Sequence, residues 1–127
     1  MNTNTHDKID YNLCGTPIDI REGYARVELK TYSKMIVDSH LLIHGGFVFG
    51  LADHAAMLAV NHPNVVLASA TVKFLKPVQQ NEKLIAEATV VSVEGKKQQV
   101  DVKVMRDQEL VFEGQLICFI LKKHVLA

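Results

Sequence analysis

The segment His44-Gly45-Gly46-Phe47-Val48-Phe49-Gly50-Leu51-Ala52-Asp53 holds the residues best placed to do chemistry. Two glycines open an apolar stretch that reads as a helix, and a lone carboxylate sits two turns inside it. Backbone N–H groups at a helix start have no intrahelical acceptor, so they suit a negatively charged group. An unpaired carboxylate in apolar surroundings is costly to bury, which implies a partner or a task for Asp53. A donor for a developing oxyanion and a carboxylate that handles a proton are the two halves of an acyl-transfer site.

Spacing limits how these halves can meet. Gly46 and Asp53 share one stripe of the helix, about 10 Å apart along it at the usual rise per residue. A single carbonyl bridges roughly 6 Å between a donor and a base. One helix therefore cannot serve one substrate with both groups. Two antiparallel helices related by a two-fold axis can, and they would make two equivalent sites in a homodimer.

The remaining elements follow from hydrophobic periodicity. Ile18, Ile20, Ala25, Val27 and Leu29 alternate with polar residues about Glu22-Gly23, which predicts a β-hairpin. Residues 33–43 show no period and read as a loop. The helix runs over residues 45–61 with apolar residues on nearly every face, so protein must surround it. Asn61-His62-Pro63-Asn64 stops it. Strands are expected over residues 65–75, 84–93, 97–106 and 109–121, arranged as a four-stranded meander, with the last central or buried on both faces. The expected class is α+β: a curved antiparallel sheet wrapped around one long central helix. Residues 1–12 read as a polar tail and 13–127 as one domain. One sheet cannot enclose a helix, so a second copy should cover the rest; a dimer, possibly a tetramer, is expected.

Composition narrows the function. The 127 residues carry 14 Lys+Arg against 14 Asp+Glu, and the resulting zero charge gives no general attraction to nucleic acid or a membrane surface. No apolar run approaches the roughly 20 residues that span a bilayer. Without a secretory signal pattern, Cys14 and Cys118 read as reduced thiols of a cytoplasmic protein.

The element order and the opening motif together resemble the hotdog fold, and within it the PaaI-like acyl-CoA thioesterases. The resemblance rests on His44-Gly45-Gly46, Phe49, Leu51-Ala52-Asp53 and Ala55-Ala56. A second segment, Ala68-Ser69-Ala70-Thr71-Val72-Lys73-Phe74-Leu75-Lys76-Pro77, is similar to the family's strand leading into a Phe-Leu-x-Pro turn. Together they cover roughly residues 13–121. The resemblance implies that Asp53 is the general base or nucleophile, that the Gly45 N–H polarises the thioester carbonyl, and that His44 stands beside it. Gly46 follows at the substrate side. Asp38 occupies the place where many relatives have an asparagine, and an ionised Asp38 cannot donate and would repel an oxyanion. Replacing it with Asn is expected to be tolerated or to raise turnover. Leu67 stands where one branch has a water-holding Ser or Thr, with Ser69 and Thr71 as substitutes by strand alternation. Lys73, Lys76, Lys96, Lys97 and Arg106 are candidates for the phosphates of coenzyme A.

Other readings compete with this one. Asp53 could be a structural acid satisfied by a neighbouring backbone group or by His54. His40, His44, Asp53 and His54 match no metal-ligand spacing, so neither a metal nor another cofactor is expected. The leading function is hydrolysis of an acyl- or aryl-CoA thioester. The alternative is a non-catalytic acyl-CoA-binding hotdog, a ligand sensor, in which branch the helix carboxylate is replaced. A hotdog dehydratase is a third, supported only by His54 beside Asp53.

Overall fold

A computed structural model describes all 127 residues. The element order is α1 (Tyr11–Cys14), β1 (Thr16–Arg21), β2 (Tyr24–Lys30), a 3₁₀ turn (Ser33–Met35), α2 (Gly45–Val60), β3 (Val65–Phe74), β4 (Lys83–Glu94), β5 (Lys97–Arg106) and β6 (Glu109–Ile120). The six strands form one antiparallel sheet in the order β1-β2-β4-β5-β6-β3, wrapped around α2. This is the hotdog architecture expected from the sequence.

Alternation explains which face the helix covers. Ala25, Val27 and Leu29 of β2, Leu84, Ala86 and Ala88 of β4, and Val100, Val102 and Val104 of β5 are all buried. Against them α2 buries Leu51, Ala52, Ala55, Ala56, Leu58 and Ala59. Alanine on both surfaces lets the helix sit close to the sheet at interior packing density. The outer sheet face is polar. Across it Asp19, Arg26, Glu87, Lys103, Glu113 and Lys73 stand side by side, one from each strand, with alternating charge.

The sequence reading needs two corrections. The four strands after the helix are not a meander, because only β4, β5 and β6 run consecutively and β3 pairs with β6 at the far edge. The connection from β3 to β4 carries Pro77 and crosses under the helix start, where Ile43 donates its N–H to the Val78 carbonyl at 2.8 Å. β6 is central, but it is buried on one face only, since Glu113 and Gln115 point outward beside Lys103 and Asp101.

The first ten residues, read as a tail, lie on the end of α2. Asn61 caps the helix in the left-handed region at φ 53°. Its side chain accepts from the Asn4 N–H at 2.7 Å and donates to the Asn2 carbonyl at 2.9 Å. Thr5 is buried.

Gly15, between α1 and β1, has φ 101°, and a Cβ there would stand 2.7 Å from Val27 Cγ1 and 2.8 Å from Leu51 Cδ1. Backbone strain and overpacking thus combine at one atom. Gly15→Ala should cost about 2–4 kcal/mol, seen as a lower denaturant midpoint with an unchanged slope. A midpoint equal to wild type would contradict this packing.

Candidate active site

Asp53 is placed by the helix that the apolar run dictates. Its stripe, with Gly46, Phe49 and Gly50, is only partly covered, whereas the opposite side of α2 is fully buried. Asp53 Oδ1 is itself buried and has no hydrogen-bond partner. Burial pushes the Asp53 carboxyl up from its ordinary value, and the His6 charge acts in the opposite direction. Cys118 of β6 and Cys14 of α1 lie within its field; burial, aided by that field, raises both thiols, Cys118 to about 12. His54, next in sequence, is committed elsewhere. Its Nδ1 lies 3.1 Å from the Cys14 carbonyl, its ring stacks on Tyr11, and burial lowers its pKa. His54 therefore does not satisfy Asp53.

The helix start is built around Gly45 and Gly46. His44 is the N-cap with φ −60° and ψ 130°, and no side chain caps the first turn. The His44 N–H donates to the Met35 carbonyl at 2.9 Å, fixing where the loop hands over to the helix. The His44 ring folds back on the first turn: a Cβ at Gly46 would be 2.9 Å from its Cδ2. Gly45 faces the ring of Phe74, which is half exposed and stands edge-on to Phe112 at 5.1 Å. Gly45, Phe74 and Lys76 share a mostly apolar hollow of about 300 Å³ with Val48 and Val111. It suits an apolar group next to a helix N-terminus.

Asp38 is occupied within its own loop. Its Oδ1 accepts both the His40 N–H at 2.9 Å and the Leu42 N–H at 3.2 Å. Asparagine offers the same oxygen, so Asp38→Asn should leave stability within about 0.5 kcal/mol by chemical denaturation. A larger loss would show that the second carboxylate oxygen carries the loop.

Ser69 and Thr71 are not near Asp53. Simple alternation puts residues 67, 69 and 71 on one face, but a bulge between Leu67 and Ser69 shifts the register. Leu67 pairs with buried Cys118 on the helix side, whereas Ser69 and Thr71 turn to the outer face. There Thr71 and Lys73 line a polar hollow of about 340 Å³ with Asp101 and Glu113. The cations divide likewise. Lys76 is paired with Glu109 at 2.7 Å, and Arg106 is held by Glu109, Glu82 and the Pro77 carbonyl. Lys96 and Lys97 lie at the β4–β5 turn, at the opposite end of the sheet from Gly45. No three His, Cys, Asp or Glu side chains gather into a metal site, and no helix is long and apolar enough to cross a membrane.

The influence on Asp53 that sequence reasoning missed is that of His6, whose charge favours the ionised carboxyl. It lies 47 positions away in a polar stretch, and no spacing in the sequence links the two.

Residues 41–113 match the thioesterase superfamily, a span that includes the HGG start, Asp53 and the Phe74-Leu75-Lys76-Pro77 turn. The chain is 53% identical to the crystal structure of the uncharacterised protein PH1136 from Pyrococcus horikoshii, with a TM-score of 0.99 over 100% of this chain and 98% of that one. The PaaI protein of the E. coli phenylacetic acid degradation operon superposes with a TM-score of 0.80 at 26% identity, covering 88% of this chain and 83% of its own. Among curated relatives, a methylthioribose-1-phosphate isomerase of Aquifex aeolicus is 49% identical over 121 residues, 95% of this chain and 26% of that protein. A transcription factor FapR of Caldanaerobacter subterraneus is 25% identical over 115 residues, 90% of this chain and 58% of its own length. The chain thus spans only a part of each of these two curated relatives. With residues 41–113 matched and the sheet wrapped around α2, the chain belongs to the thioesterase superfamily and has its hotdog fold.

Proposed function

We propose that the protein hydrolyses an acyl- or aryl-CoA thioester to the free acid and coenzyme A. The observation that carries this reading is the Asp53 carboxyl, whose Oδ1 is buried without a partner in a thioesterase-superfamily fold. A carboxyl whose pKa is raised is a stronger base than an exposed one. In the reaction, Asp53 takes a proton from water as the hydroxide oxygen attacks the thioester carbon, and the Gly45 N–H holds the oxyanion. The intermediate then collapses, the carbon–sulfur bond breaks, and the proton passes to the departing thiolate. Direct attack by the Asp53 carboxylate, followed by hydrolysis of the mixed anhydride, uses the same two groups.

Along α2 the first turn and Asp53 are too far apart to act on one carbonyl, so a second copy supplies one of them. The partly covered stripe of Gly46, Phe49, Gly50 and Asp53 and the unpaired β3 edge are the surfaces that copy would cover. The hollow beside Gly45 and Phe74 would take part of the acyl group.

That one relative is a transcription factor and not a hydrolase favours a second reading, the non-catalytic acyl-CoA-binding hotdog expected as the alternative. Thiol release from short, medium, long and aromatic acyl-CoAs separates the two. Turnover establishes the hydrolase and ranks its substrates. Tight binding of acyl-CoA without thiol release would replace the hydrolase with the sensor.

A further inference from the structure

We infer that Phe74 is a specificity-determining residue: its ring is the movable wall of the hollow beside Gly45 and limits the acyl group to an uncharged one of about six to eight carbons. This deepens the thioesterase reading and rests on it. The acyl group would run from a carbonyl at the Gly45 N–H into the hollow of the same copy.

The helix start leaves room for a substrate at this point. The Phe47 N–H donates to the His44 carbonyl at 3.1 Å, whereas the Gly45 and Gly46 N–H groups donate to nothing within the chain. Gly45 itself lines the hollow, so a carbonyl bound there has its substituent at the mouth. The floor is fixed. Ile43, Val48, Val78 and Val111 are buried. The Ile43 N–H donates to the Val78 carbonyl at 2.8 Å, and the Leu75 and Lys76 N–H groups donate to the Val111 carbonyl at 2.9 and 3.3 Å. Phe74 is the exception. It ends β3 and is 56% exposed. Its ring stands edge-on to Phe112 at 5.1 Å and reaches Gly45, where a Cβ would meet its Cε1 at 3.3 Å. Glycine at position 45 therefore lets the ring close the hollow against the first turn of α2.

The lining selects the kind of group that fits. Lys76 is the one charged side chain in the hollow, and Glu109 holds it at 2.7 Å. The neighbouring Arg106 is held by Glu109 and Glu82. An acyl group ending in a carboxylate finds no free cation here, and its desolvation would be costly. The amides of pantetheine would lose water without gaining side-chain partners, so the thiol arm of the substrate lies outside. What remains is an apolar acyl or aryl group. At about 30 Å³ for each water-sized group, a hollow of about 300 Å³ holds roughly ten, and its open side reduces this to about six to eight carbons.

Alkyl-CoA thioethers of two to sixteen carbons test this, because they bind without being cleaved. Calorimetric titration of wild type should show affinity rising about threefold per methylene up to about eight carbons, then levelling off. In Phe74→Ala the rise should continue to about twelve carbons, and in Phe74→Trp it should stop sooner. An eight-carbon thioether ending in a carboxylate should bind wild type at least about tenfold more weakly than its methyl-ended counterpart. The same plateau length in all three proteins would overturn the inference. An equal loss in Phe74→Ala for every probe, free coenzyme A included, would place the thiol arm in the hollow and overturn it too. If the variants fail to fold, wild type still decides: affinity that climbs unbroken to sixteen carbons, or ignores chain length, removes the wall. These titrations need no turnover, so absence of thiol release from every acyl-CoA would sink the hydrolase reading alone.

Discussion

Replacing Asp53 with asparagine should reduce kcat by at least about a thousandfold while raising stability at neutral pH. The two effects share a cause. Asparagine keeps the shape of the carboxyl but cannot take a proton or attack a carbonyl at useful rates. It also removes a charge that the fold holds in a desolvated place with an unpartnered oxygen. The sign of the pH dependence follows from the raised folded-state pKa. A raised carboxyl stabilises the fold below its unfolded pKa, and that contribution is lost as pH rises through the folded value. Asp53→Asn should therefore melt higher than wild type at pH 7, and the gap should close as the pH drops below the ordinary carboxylate range. Thermal melts at a series of pH values, run beside thiol release, check both halves. Undiminished turnover would remove Asp53 from the chemistry. A variant less stable than wild type at pH 7 would mean that the carboxylate has a structural partner in the assembled protein.

Two inactive variants mixed together should regain about a quarter of wild-type activity, because random pairing makes half the dimers mixed and each mixed dimer has one intact site of two. The partners are Asp53→Asn and Gly45→Pro. Gly45 is the first helical residue, where proline keeps the helix and removes only the N–H. His44 at φ −60° and ψ 130° already has the extended conformation that a following proline requires. Phe74, the nearest side chain, is half exposed and free to turn aside. Each variant alone should lose at least about a hundredfold in kcat. Co-refolding the two, then assaying thiol release, reads the outcome. If the mixture stays as dead as its components, both groups act within one chain or the Gly45 N–H is not the donor. Gly45→Pro with full activity would place the oxyanion donor elsewhere.

Much of this architecture was legible because its signals are local. Alternation in Ala25, Val27 and Leu29 and in Val100, Val102 and Val104 marks strands with one buried face, and Asn61 followed by Pro63 marks a helix end. Asp53 stood out because a carboxylate in an apolar helix needs explaining. The failures are non-local. Nothing in β3 itself says that it skips β4 and pairs with β6, since strand order depends on which edge is free when the crossover closes. A single bulge after Leu67 turned Ser69 and Thr71 to the outer face, and bulges have no strong sequence mark. Lys76 and Arg106 read as free cations, yet Glu109 sits beside both once the β5–β6 turn brings it back. The place of the first residues was invisible for the same reason: Asn2 and Asn4 meet Asn61 only once the chain folds back onto the end of α2.

The place of β3 at the far edge also sets an order of events during folding. Val65 pairs with Ile120 and Phe74 with Phe112, so this ladder closes only after the chain has looped through β4, β5 and β6. Hairpins between neighbouring strands close in microseconds, whereas pairings across such sequence separations pull folding towards milliseconds to seconds. Until β6 is in place, β3 is a ten-residue strand with both edges open. Its second edge stays open in the finished monomer, and that is the edge on which the proposed dimer would form. The last step of folding and the first step of assembly therefore use the same strand, and a slow β3 would delay activity as well as structure.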